Sequence, residues 1–359
     1  MSKFFDTAAR FDASVRAVRR LPLALLLGLV CAVSVSCSNA AGGAAPAPTA
    51  DVPVVPVGSA APAPSATVVP NVDPSTVVPV GQGPVGLAAD ADGAVWVAQA
   101  GASRVSRIRD GRVDLEVSGI DVPLRVAAAD GSVWATSFGS GELVRITAAT
   151  GTEAGRVAVG KGAEGVAVGL GAVWVVAQDA GRLVRVDPGG ATKTAEADIG
   201  VGARLVTTGG GAVWVSHYQN GTVLRIDPTS LAVTASPRVC GGPQGIVATP
   251  DAVWVACTLD NVVARLDPTT LAVTARVATP PAPDGLATDG KGRIYVVAQQ
   301  GPTLATIDGA SATMSMTGVL GTLPQLYDQA NLDIVVTQEA AWVSSFAANA
   351  VHRLPRPKA

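Results

Sequence analysis

Histidine occurs only twice in the 359 residues, cysteine four times, and neither sign of charge prevails: 26 basic side chains stand against 28 acidic ones, a formal net of −2. Without a basic excess, a face built for phosphate backbones is not expected. No apolar run is long enough for a bilayer span. The longest candidate, from Leu21 to Ser36, has 16 residues, short of the roughly 20 that a membrane-crossing helix needs. Long helices are also disfavoured, because 40 glycines and 25 prolines accompany abundant Val and Ala, a mixture that favours many short strands and tight turns. The length is ample for one large domain or two ordinary ones.

The first 37 residues stand apart from the rest. Arg10, Arg16, Arg19 and Arg20 precede LPLALLLGLVCAVSVS, which ends in small residues just before Cys37, the order of parts in a secretory signal. Ser34-Val35-Ser36-Cys37 also resembles a bacterial lipobox, in which the cysteine becomes the lipid-bearing first residue. Ser34 departs from the large aliphatic usual there, so lipidation at Cys37 is the expectation and simple secretion its alternative. Arg19-Arg20 is a weak twin-arginine match, because Pro22 falls where an apolar residue is preferred. Residues 1–37 carry five basic and two acidic side chains, and their removal takes the net charge to −5. Residues 38–74 form a Pro/Ala tract with too little apolar bulk to pack, expected to act as an extended tether.

Beyond it one unit recurs. GAVWV surrounds Trp96, GSVWA Trp134, GAVWV Trp174 and Trp214, DAVWV Trp254, GRIYV Tyr295 and AAWVS Trp342, at spacings of 38, 40, 40, 40, 41 and 47 residues. Eleven residues after each aromatic anchor come Arg107, Arg145, Arg185, Arg225, Arg265, Thr306 and Arg353. Asp-Pro follows at 187–188, 227–228 and 267–268, where a turn is due. Each unit reads as four antiparallel strands without a helix, and a period near 40 suits a blade of a β-propeller. Small Ala and Gly before the anchor allow close approach near a channel, while Val and the anchor Trp fill the wider space between sheets. An arginine repeated in six units belongs to the shared architecture, through interblade ion pairs or hydrogen bonds to carbonyls.

The last unit stops after its third strand, and STVVPV at 75–80 resembles the missing fourth. Pairing of this segment with Val351–Leu354 would close the circle and leave no open edge. The expected fold is therefore all-β, a seven-bladed propeller over residues 75–359, with a monomer expected.

These motifs resemble those of the bacterial YVTN/NHL-type seven-bladed propellers, a group that includes YncE-like secreted proteins and the streptogramin B (virginiamycin B) lyases. The resemblance rests on Gly-x-Val-Trp-Val, Val-x-Arg-Ile-Asp-Pro and Gly-x-x-Pro-x-Gly-Ile. They belong to the blade core and so speak for fold far more than for function. In the fold that the resemblance implies, loops leading into the inner strands and loops between second and third strands share the face around the channel mouth, the default site. The first set of positions holds Val85, Leu124 beside Arg125, Glu164, Arg204, Gln244, Asp284 and Asp333. The second holds Gln99, Phe138, Gln178, His217 with Tyr218, Cys257, Gln299 and Phe346. They vary where the core does not, as a ligand surface would and as a solvated rim also would.

The lyases imply metal-assisted elimination with acidic ligands and a histidine near the mouth. Here the matching loops carry Gln, Phe, Ser and Ala, and no His/Glu pair recurs at close spacing. His217 as base, with Glu164 or Asp284 on a hard cation such as Mg²⁺, is the one catalytic arrangement on offer. His352 lies in a strand and reads as structural. ADADG at 89–93, ADG at 129–131 and TDGKG at 288–292 read as tight turns, since the full spacing of a calcium loop is missing. Cys31 leaves with the signal. Cys240 and Cys257 fall at the same face, where export favours a disulfide over two buried thiols. The favoured function is a non-enzymatic, exported and lipid-anchored propeller engaging a protein or small ligand at the channel mouth, without nucleic acid or cofactor. A divalent-metal-dependent, streptogramin-lyase-like enzyme is the alternative.

Overall fold

The computed structural model describes residues 76–299, 303–319 and 332–356. The expected signal, the candidate lipid-bearing Cys37 and the Pro/Ala tract lie outside the described residues. Those described form seven four-stranded antiparallel sheets, the architecture expected from the repeat. In the first blade the order from the axis outward is β2 (Pro84–Ala89), β3 (Val95–Gln99), β4 (Arg104–Arg109) and β5 (Arg112–Ser118). The following inner strands are β6 (Pro123–Ala129), β10 (Ala163–Gly169), β14 (Ala203–Gly209), β18 (Pro243–Ala248), β22 (Pro283–Thr288) and β26 (Ile334–Val336). Each inner strand neighbours the next, and β26 neighbours β2, so the blades close a ring.

The second strand of every blade is apolar on both faces because a sheet lies on either side of it. In β3 and its counterparts β7 (Ser132–Ser137), β11 (Ala172–Ala177), β15 (Ala212–His217), β19 (Val253–Cys257) and β27 (Ala340–Ser345) every residue is buried. The outermost strands alternate or lie open, as in β5 and β17 (Val233–Ala235). Each anchor aromatic pairs directly with the residue eleven positions on: Trp96 with Arg107, Trp134 with Arg145, and so on to Trp342 with Arg353. The guanidinium lies over the indole, 5.7 Å from its centroid for Arg107 on Trp96 and 5.5 Å for Arg145 on Trp134, a cation–π contact. The same arginines reach the next blade. Arg107 Nη1 donates to the Ala148 carbonyl at 2.7 Å, Arg145 Nη1 to Gly189 at 2.6 Å, and Arg185 Nη1 to Pro228 at 3.0 Å. In these three blades the repeated arginine is thus a rivet to the next, whereas Arg265 and Arg353 bond Asp251 and Glu339 of their own blades.

Closure follows the expected pairing. β1 (Val77–Pro79) lies antiparallel to β28 (Ala350–Pro355), with Val77 opposite His352 and Val78 opposite Val351. Val78 joins Trp342, Val351 and Val95 in one buried cluster, so the seventh blade is built from both ends of the domain.

Candidate functional site

A bulge shapes the channel mouth in six of the blades. In each of the first six inner strands the ladder slips between the first and fourth residues, Pro84 to Leu87 in blade one and Ala163 to Val166 in blade three, so two residues face one on the second strand. Bulged residues leave the ladder, and their side chains are re-aimed. At the first bulged position stand Val85, Leu124, Glu164, Arg204, Gln244 and Asp284. At the second stand Gly86, Arg125, Gly165, Leu205, Gly245 and Gly285. In blade seven Leu332 and Asp333 match these two positions, because Gly285 abuts them as Gly86 abuts Leu124 and Arg125.

The glycines at the second position are required by proximity. A Cβ at Gly86 would lie 2.5 Å from the Leu124 carbonyl oxygen, and one at Gly165 2.5 Å from that of Arg204. The freed backbone N–H groups find hydroxyls two residues after the anchors. Thr136 Oγ1 accepts from Arg125 N at 3.0 Å and donates to the Glu164 carbonyl at 2.9 Å. Ser216 does the same between Leu205 N at 3.3 Å and Gln244 O at 2.8 Å, and Ser344 Oγ accepts from Asp333 N at 2.9 Å. These hydroxyls were missed in the sequence. Their only signal is a small residue that is Thr or Ser in some units and Ala or Val in others.

The first-position side chains link tangentially across blades. Arg204 donates from Nε and Nη2 to Glu164 Oε1 at 3.1 and 2.8 Å, and from Nη1 to Gln244 Oε1 at 2.9 Å. Burial works against the charge on Arg204, yet the Glu164 carboxylate and its hydrogen bonds hold the guanidinium firmly protonated. Arg204 also covers Tyr218, 5.5 Å from the ring centroid. Burial raises the Tyr218 phenol above its ordinary pKa. Asp284 Oδ2 accepts from Gln299 Nε2 and from Leu332 N, both at 2.8 Å. Burial pushes the Asp284 carboxyl up, opposed by these bonds and by Arg125 and Arg204.

The second predicted set splits in two. Three residues after the anchors, Gln99, His217 and Cys257 are inside the sheets, at most 1% exposed. Four residues after, Phe138, Gln178, Tyr218, Gln299 and Phe346 stand by the leading loops. The backbone N–H of Phe138 donates to Val122 O, that of Gln178 to Gly162 O and that of Gln299 to Ala282 O. Tyr218 covers Gly242 of the next blade and Phe346 covers Gly83, since a Cβ at either glycine would meet the ring at 2.9 Å. His217 is held by its own turn: Nδ1 accepts from Asn220 N at 3.3 Å, and Nε2 lies 3.2 Å from Asn220 Nδ2. Burial lowers its pKa, so the imidazole is neutral. Among the described residues no hydrogen bond joins His217 to Glu164 or Asp284. His352 is buried in β28. Cys240 lies in the loop after β17 rather than ending an outer strand, because β17 stops at Ala235 and Pro237 follows. It is disulfide-bonded to Cys257, with Cα atoms 5.8 Å apart.

Below the tangential links, a cavity of about 160 Å³ occupies the axis. Its wall combines Arg125, Asp284 and Asp333 with the glycines 165, 245 and 285 and with an aliphatic belt from Leu87 and Val126 round to Leu286 and Ile334. Among the described residues no three His, Cys, Asp or Glu side chains converge so as to hold a metal ion. The donor set for the divalent cation that the lyase resemblance implies is therefore not assembled.

Fold and site together define a seven-bladed β-propeller with a charged channel mouth and a partly open axial cavity. No known family profile matches the sequence, and no curated protein does. Solved structures do share the fold. Virginiamycin B lyase from Staphylococcus aureus superposes with a TM-score of 0.67 at 20% identity, covering 77% of this chain and 96% of the lyase. A catalytically inactive histidine-to-alanine variant of that lyase with quinupristin gives 0.65 at 18% identity, covering 80% and 98%. The WD40 domain of Neurospora crassa Pan2 follows at 0.63 and 12%, covering 77% and 90%. So dissimilar a group shares an architecture and no single activity.

Proposed function

We propose that this chain is an exported, lipid-anchored propeller that binds a small ligand at its channel mouth and does not turn it over. The observation that carries the reading is the axial cavity walled by Arg125, a buried cation without an ion pair among the described residues. A buried charge with room beside it is the signature of a ligand site. Export and anchoring rest on the arginine-flanked apolar run and Cys37. The streptogramin-lyase-like reading draws on the shared fold, but His217 is engaged with Asn220 and lies outside the cavity wall.

Thermal-shift screening of the full chain against small anions, cations and neutral sugars tests the binding reading. The comparison is Leu205→Trp, which fills the cavity from its wall. Ligand-induced shifts are expected in the parent and should vanish in the variant. A chain that responds to no class of ligand, or responds equally when plugged, refutes the assignment. Turnover of quinupristin with Mg²⁺ that disappears in His217→Ala would instead establish the lyase alternative. For the anchor, Cys37→Ala should move the protein from the membrane fraction to the soluble one.

A further inference from the structure

Arg125 and Arg204 share the mouth but differ in how they are satisfied. Arg204 makes hydrogen bonds to Glu164 and Gln244. Arg125 is 7% exposed; among the described residues its guanidinium makes one hydrogen bond, from Nη1 to the Leu124 carbonyl at 3.3 Å, and its buried Nε has no partner. Leaving a buried guanidinium in that state is costly, and native structures pair such groups. The nearby carboxylates do not supply the pair. Asp333 accepts from Leu87 N and Ile334 N, both at 2.9 Å. Asp284 is held by Gln299 and Leu332 N.

Building on the binding reading, we propose that Arg125 seats the carboxylate of a small organic acid in the axial cavity. A planar guanidinium matches a carboxylate in two parallel hydrogen bonds, which a spherical anion cannot reproduce. The stem of Arg125 lies against Gly86, where a Cβ would come within 3.0 Å of Cδ, which limits the room its stem has to move. Leu87, Val126, Ile246 and Leu286 add aliphatic patches to a mostly polar lining, against which a short hydrocarbon body can lie. At about 160 Å³ the cavity has room for an acid of a few carbons. A monoanion suits the surroundings better than a dianion, because Asp333 and Asp284 share the wall. Burial favours the neutral form of Asp284 and so reduces the repulsion it offers.

The test is calorimetric titration of the full chain with butyrate, with butylammonium and inorganic phosphate as parallel arms. Butyrate should saturate and butylammonium should not. Arg125→Met should weaken butyrate binding by roughly ten- to a hundredfold, the range for losing a charge-assisted pair, and Arg125→Lys should fall between. Tryptophan-fluorescence melting shows whether each variant is folded, and Arg125→Lys decides the matter if the methionine variant is not. Failure of butyrate to saturate, or equal affinity in a folded Arg125 variant, overturns the proposal. Saturation by phosphate or butylammonium in place of butyrate also overturns it while leaving the binding reading intact. Silence in every arm, with silence in the wider ligand screen, removes both.

Discussion

Replacing Gly165 with alanine tests the physical basis of the mouth, namely how closely the inner strands converge. Its backbone is not in the left-handed region, so the new methyl brings no φ strain of its own. The neighbours decide the outcome: the Cβ would lie 2.5 Å from the Arg204 carbonyl oxygen, 2.9 Å from Leu205 Cα and 3.1 Å from Val206 N. All three are main-chain atoms of the next blade, unable to rotate away. Overpacking of this kind costs about 1–3 kcal/mol, against which the stiffer unfolded chain returns about 0.4–1 kcal/mol. The central net loss of about 1.3 kcal/mol should lower the melting temperature by roughly 3–5 °C, given about 2–4 °C per kcal/mol for a domain of this size. Gly189→Ala is the matched control, because its Cβ meets only the Asp187 carboxylate, at 3.4 Å. There the unfolded-state effect stands alone, and the melting temperature should hold or rise slightly. Calorimetric melts of the two variants beside the parent provide the readout. If both move in the same direction and by the same amount, the close approach of the strands is not what glycine is there to permit.

Two other perturbations probe different parts of the ring. Reducing the Cys240–Cys257 bond, which spans 17 residues, should destabilise the domain by about 3 kcal/mol on the loop-entropy account, measured by urea denaturation with and without reductant. An unchanged midpoint would mean that the bond contributes nothing. His352 is buried with neither ring nitrogen hydrogen-bonded among the described residues, and burial lowers its pKa below 6.5. The unfolded chain therefore binds the proton more readily, so stability falls as pH drops below about 6.5 and recovers above it. His352→Leu should flatten that slope in melts between pH 5 and 8, taken at roughly half-unit steps, whereas a parallel slope in the variant would refute the assignment.

The blade core was legible because it repeats. All six tryptophans of the chain are anchors, and the arginine eleven residues on stands across the ladder from each of them. A sheet fixes that offset locally, so no knowledge of the remaining blades is needed to see it. Closure was legible for a related reason: a missing strand at one end matched a spare one at the other, and β1 pairs with β28. The mouth was read less finely. Arg125 and Asp333 were grouped with Glu164 and Asp284, although Arg125 stands one position further along its bulge than Glu164 and Asp284 do along theirs, and Asp333 holds the matching place in blade seven. His217 and Tyr218, neighbours in sequence, part company because one ends a buried strand and the other begins the turn above it.

The sequence by itself therefore determined the number of blades, their strand order and the joining of the ring, since each follows from a short-range pattern repeated along the chain. Only the tertiary structure decided which variable residues satisfy one another and which do not. Glu164, Arg204 and Gln244 are 40 residues apart in turn, and no local rule says that Arg204 finds a carboxylate while Arg125 keeps a bare nitrogen. That difference arises from the convergence of separate blades on one axis, where residues distant in sequence become neighbours only once the ring has closed.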